Sequence, residues 1–196
     1  MLWRERFTDA ERMLPLVNGS WQALARARIA LRRDLPGVDG FINAVPDRAQ
    51  SDPGLAWERF AWRMRKSRYE EAALYLDGLD RSSASLGRPE IWAERRALLA
   101  RREMRLGDTK LAYRLASQHG LTKGADYADL EWLAGYIALQ RLNNPRQAMT
   151  HFRNVRTAVN SPISLGRAAY WEGRAAEAAG DRKAAGAAYA LAAEFQ

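Results

Sequence analysis

The stretch Trp171-Glu172-Gly173-Arg174-Ala175-Ala176-Glu177-Ala178-Ala179-Gly180-Asp181-Arg182-Lys183-Ala184-Ala185-Gly186-Ala187-Ala188-Tyr189 decides the fold class. A glycine just past a run of helix formers closes a helix in the left-handed conformation, and an aspartate directly after it caps the next one. Alanine-rich segments of high helix propensity flank the Gly180-Asp181 pair on both sides. Two antiparallel helices therefore meet there. The first opens on a bulky tryptophan, and the second presents Ala184, Ala185 and Ala188 before Tyr189. The alanines let the helices approach closely, and the aromatic ring fills the gap to a neighbouring unit.

The same unit recurs upstream. Trp21, Trp57, Trp92, Trp132 and Trp171 are separated by 36, 35, 40 and 39 residues, each opening the first helix of a pair. Downstream of the last four come Tyr69, Ala72, Ala73 and Tyr75, then Leu111, Ala112 and Tyr113, then Ala148 and Phe152, then Ala184 to Tyr189. A drifting period of 35 to 40 with this pattern is the signature of stacked helical hairpins, close to the tetratricopeptide type. Asp52-Pro53, Asn144-Pro145 and Ser161-Pro162 read as cap-plus-proline starts, and Gly107-Asp108 repeats the Gly180-Asp181 junction. Between these marks the sequence predicts helices near 7–17, 20–33, 37–44, 53–65, 68–78, 89–106, 108–119, 126–142, 145–158, 162–179 and 181–193. The expected fold is all-α, one superhelical α-solenoid array over residues 1–196, with Trp92, Trp132 and Trp171 largely buried between consecutive hairpins.

Composition narrows the chemistry. The 196 residues are 47% hydrophobic, enough for a core, and they include no cysteine, which excludes disulfides, thiol catalysis and Cys-based metal sites. The two histidines, His119 and His151, are 32 positions apart, too few and too distant in sequence for a zinc motif. No metal and no cofactor is expected. No apolar run reaches the length of a membrane span, and Met1-Leu2-Trp3-Arg4-Glu5-Arg6 is followed by no apolar signal region. The net charge of +8 suits an acidic polymer, anionic lipid or nucleic acid, but arginine-rich solvated helix faces give the same balance, and no nucleic-acid motif accompanies it.

Several segments resemble the helical region of soluble lytic murein transglycosylases: Arg88-Pro89-Glu90-Ile91-Trp92, Ala112-Tyr113-Arg114-Leu115-Ala116, Glu131 to Leu139, and above all Ser161 to Ala175. The resemblance is strong from about residue 88 onward and weaker over 1–87. It implies a periplasmic superhelical scaffold, a lysozyme-like catalytic domain as partner, and peptidoglycan as substrate. The enzyme it implies cleaves the bond between N-acetylmuramic acid and N-acetylglucosamine, leaving a 1,6-anhydromuramoyl end. The catalytic signature of that family is a glutamate followed by serine, with Gly-Leu-Met-Gln further on. None of the twelve glutamates here precedes serine and Gly-Leu-Met-Gln does not occur, so no catalytic residue is carried over. The expectation is a scaffold piece, an expressed fragment or a truncated frame, without catalytic domain or leader.

Residues 132–171 carry five arginines and no carboxylate. Arg146, Arg153 and Arg156 fall on one helical face, a strip able to meet peptide-stem carboxylates, glycan or a neighbouring domain, or else a solvated face with two cations near a helix C-terminus. His119, before Gly120, is expected to serve a helix end, and His151 to be exposed. Asp129 and Glu131 are two apart and point different ways, so no acid/base dyad is expected. Glu5, Glu11, Glu58 and Glu94 sit beside arginines, which favours the ionised carboxylate, the wrong direction for a general acid. The other function left open is a stand-alone helical-repeat adaptor that binds other proteins in its groove.

Overall fold

A computed structural model describes residues 2–4, 6–79 and 82–195, with side chains omitted for Ser83 and Ala84. Among these residues every regular element is helical, and no strand occurs. The chain divides into two compact units, residues 1–88 and 89–196.

The first unit holds α1 (Phe7–Met13), α2 (Gly19–Arg33), α3 (Val38–Asn43), α4 (Asp47–Gln50), α5 (Pro53–Arg65), α6 (Tyr69–Asp77) and α7 (Ser83–Leu86). Short 3-10 turns lie at Leu2–Arg4 and Leu14–Leu16. The single-turn helices α4 and α7 have no counterpart in the sequence reading, because one turn shows no periodicity. Here packing skips along the chain: α2 lies against α5 and α3, and α5 against α6 and α7. Leu24, Ala27, Leu31, Val38, Val45 and Leu55 form the core, with Phe41 and Trp62 against it. Asp34, left-handed at φ 55°, ends α2 and accepts the Trp62 indole N–H at 2.9 Å. The Lys66 ammonium and the indole hold the Asp34 carboxyl below its ordinary value. Gly54 lies beneath Arg28, and a Cβ there would lie 2.2 Å from the guanidinium carbon, so the buried arginine would have to shift.

The second unit opens with a 3-10 turn at Pro89–Trp92 and continues through α8 (Ala93–Leu106), α9 (Thr109–Ser117), α10 (Ala125–Gln140), α11 (Pro145–Ala158), α12 (Pro162–Ala178) and α13 (Arg182–Ala193). Each helix packs on the next in chain order, and α10 also touches α8. The caps are those the sequence predicts. Asp108, Asn144, Ser161 and Asp181 accept the backbone N–H of Leu111, Gln147, Ser164 and Ala184. Gly107 and Gly180 are left-handed, at φ 99° and 78°.

Close approach in this unit rests on glycine as well as alanine. A Cβ on Gly135 would come within 2.8 Å of the Phe152 ring, and one on Gly173 within 2.5 Å of the Tyr189 ring. The same device thus repeats in the α10–α11 and α12–α13 pairs. Gly166 meets Phe195 while Gly173 meets Tyr189, so α12 and α13 run antiparallel. Trp92 is fully buried, whereas Trp132 and Trp171 are partly buried. The last two meet edge to face at 5.9 Å, with Tyr136 stacked on Trp132 and Phe152 on Trp171. Trp132 also lies under the Arg167 guanidinium. All three are thus largely buried, as the spacing predicts, with the two large rings of Trp132 and Trp171 sharing one seam between hairpins. Trp57 is buried, but Trp21 is 58% exposed, so the first member of the tryptophan series fills no inter-hairpin gap.

Candidate functional site

The arginines singled out by sequence all belong to α11. Arg146 is exposed at its first turn, and its carbonyl accepts the Thr150 hydroxyl. Arg153 and Arg156 converge on one carboxylate: their Nε groups donate to Glu172 Oε1 and Oε2 at 2.7 and 3.1 Å. Glu172 stands one residue beyond the acid-free stretch and returns to it on α12. The strip is therefore partly neutralised, with two of its three cations fixed as a clamp between α11 and α12. Their half-exposure keeps the contribution to stability modest.

One turn away on the same helix is a polar cluster that the sequence reading did not assemble. Glu131 of α10 is buried, and its carboxylate receives three donors. His151 Nδ1 reaches Oε2 at 2.7 Å, Asn154 Nδ2 reaches Oε2 at 2.8 Å, and His119 Nε2 reaches Oε1 at 3.0 Å. His119 Nδ1 accepts the Leu121 backbone N–H at 3.0 Å, which places the ring proton on Nε2 and defines the tautomer. On its far side His151 Nε2 pairs with the Tyr113 hydroxyl at 2.8 Å. Tyr127 stands edge-on to His119.

Burial alone pushes the Glu131 carboxyl up. The hydrogen bonds from His119, His151 and Asn154, with the Coulomb attraction of His151, outweigh it and hold the group at about 2. Burial and the same negative charge push the Tyr113 phenol up, against the hydrogen bond from Ser117. The cluster links the α9–α10 connection, α10 and α11, and so pins one hairpin to the next.

The expectation of an exposed His151 is overturned: it is 8% exposed, and its ring lies on the apolar stripe Ala148, Phe152, Val155 of α11. His119, 4% exposed, does brace the turn after α9, but its main partner is Glu131. Asp129 is exposed while Glu131 is buried, so these two carboxylates diverge as their spacing requires. A polar residue on an otherwise apolar helical stripe was the available signal for both Glu131 and His151, since buried polar groups are paired.

Chemically, an ionised carboxylate saturated by three donors has no proton to give. Its imidazole partners have their ring nitrogens committed to the cluster. Among the described residues no group of three or more His, Asp or Glu side chains is disposed to hold a metal ion. No helix among them is long and apolar enough to cross a membrane. Of the glutamates flanked by arginine, Glu5 lies outside the described residues, and Glu11 pairs with Arg33 across 22 residues at 2.7 Å. Comparison with protein-family models, with curated proteins and with solved structures finds no match.

Proposed function

We propose that this chain is a non-catalytic helical scaffold of the kind that carries the peptidoglycan-cleaving domain of lytic murein transglycosylases, working in the periplasm against the murein layer. The observation that carries the reading is the chain-order packing of α8 to α13, built on the residues in which the resemblance resides. Tyr113, Trp132, Tyr136 and Trp171 are the rings on which consecutive hairpins lean. Repeats joined in this way make an α-solenoid, a superhelical array of tetratricopeptide-like hairpins in which each repeat presents an equivalent edge to a long ligand.

The Glu131 cluster supports the scaffold role by its chemistry. A glycan-cleaving glutamate acts first as an acid and needs a raised pKa, whereas Glu131 is held at about 2. Its three donors serve to lock hairpins together. Arg146, with the half-exposed edges of Arg153 and Arg156, supplies a cationic face for stem-peptide carboxylates or for an attached domain.

Sedimentation with purified sacculi tests this. The chain is expected to pellet with murein at low salt and to return to the supernatant as salt shortens the reach of surface charges to about 8 Å and below. A chain that stays in the supernatant at every salt concentration removes the wall-scaffold reading. In that case the array is better read as an adaptor for another protein.

A further inference from the structure

Trp21 departs from its series in a way that suggests a second site. Large indoles are highly buried on average, and one left 58% exposed forgoes the free energy that burial would return. Trp21 forms a wall of an open cavity of about 480 Å³, whose other polar lining comes from Asn18, Ser20, Arg48, Ser51 and Asp52. That volume falls within the range of small-ligand sites, and one aromatic wall facing a few convergent polar groups is how such sites are composed.

The charges within the cavity are unequal. Asp52 spends its carboxylate inside the protein, accepting the Leu55 N–H at 2.8 Å and lying 3.7 Å from buried Arg28. Arg48 has no such partner among the described residues: its contact is the Ser20 hydroxyl at 2.6 Å, which steadies the guanidinium and leaves its charge uncompensated. Asn18 uses its carbonyl oxygen to cap α2, which leaves its amide N–H groups available.

From this juxtaposition we propose that the cavity beside Trp21 binds a sugar carrying a carboxylate, its C–H face on the indole and its carboxylate on the Arg48 guanidinium. The C–H face of a pyranose is apolar and complements the electron-rich face of an indole, as cationic groups do. The guanidinium fork matches a carboxylate in both geometry and charge. The hydroxyls of Ser20 and Ser51 and the Asn18 amide suit ring hydroxyls and N-acetyl oxygens. Identifying the sugar as the muramic acid of a murein strand rests on the scaffold reading above; the chemistry of the cavity does not.

Two disaccharides test this by calorimetric titration of the 196-residue chain: chitobiose, which is neutral, and N-acetylglucosaminyl-N-acetylmuramic acid, which adds a lactyl carboxylate. Both are expected to bind, the acidic one about tenfold more tightly. Trp21→Ala should weaken both at least tenfold, and Arg48→Gln should erase the difference between them. Trp21→Phe, which keeps an aromatic face, should retain part of the affinity and serves if the alanine variant does not fold. Absence of saturable binding by either sugar, or binding that Trp21→Ala leaves intact, overturns the proposal. Equal affinities of wild type for the two sugars overturn the role of Arg48. Disaccharide binding that is absent while sacculi still pellet the chain fails the cavity alone; binding that persists while sacculi do not pellet it fails the scaffold reading alone.

Discussion

The two units of this chain are built from the same helix-forming vocabulary and come out differently. In residues 89–195, bulky rings and small residues recur at matching positions of successive hairpins, so each helix finds its partner next in sequence. In the first unit, Pro36-Gly37, Pro46 and Ser51-Asp52-Pro53 cut residues 34–53 into single turns and short helices, and α2 must reach past them to α5. Trp21 and Leu16 are well exposed there, and open cavities of about 480 and 600 Å³ line the same unit. Regular spacing of ring and small residue lets each hairpin cover the next, and where the spacing breaks, an indole such as Trp21 is left without a covering helix.

The sharpest way to break that contrast is to truncate large aromatic side chains in each unit. Trp92→Ala and Phe152→Ala empty fully buried positions of the second unit and should each cost about 3–5 kcal/mol in thermal or denaturant unfolding. Trp21→Ala should stay within about 0.5 kcal/mol, as for exposed positions generally. Comparable losses at Trp92 and Trp21 would mean that the units are not built differently after all.

Acid should act on the second unit through Glu131. Its folded pKa is depressed, from 4.5 to about 2, so the stabilisation it gives is complete above pH 4.5 and drains away as the pH falls toward 2. The amount at stake is about 3 kcal/mol. Unfolding free energy followed across this window should fall in wild type and lose most of that slope in Glu131→Gln. An unchanged slope in the variant would remove the cluster from the account.

Glycine substitutions come next in size. Gly135→Ala and Gly173→Ala push a Cβ into the Phe152 and Tyr189 rings and should cost about 1–3 kcal/mol. Gly186→Ala on α13 meets nothing within 4 Å and should stabilise by about 0.5–1 kcal/mol, because alanine holds a helix better than glycine. The smallest loss should be Asp181→Ala, about 1 kcal/mol for the lost N-cap of α13. A chemical denaturation series over these four variants checks both signs.

Helices and their ends were legible because their causes are local. Asp52, Asp108, Asn144, Ser161 and Asp181 each cap a helix within three residues of themselves, and Gly107 and Gly180 take the left-handed turn that the sequence assigns them. The Glu131 cluster was not legible, because antiparallel packing brings together residues 12, 20 and 23 positions apart. The same holds for Glu172, which sits outside the acid-free window yet neutralises two arginines within it. Trp21 shows the converse error: a spacing of 36 places it at a helix start, but spacing cannot say whether a partner helix covers it.

The claim that this chain is a scaffold without chemistry of its own meets its most direct test in chromatography of the soluble products after incubation with sacculi. No 1,6-anhydromuropeptides above the untreated control are expected. Release that survives repurification and disappears in Glu131→Gln would contradict it, and would place catalysis on the carboxylate assigned here to holding hairpins together.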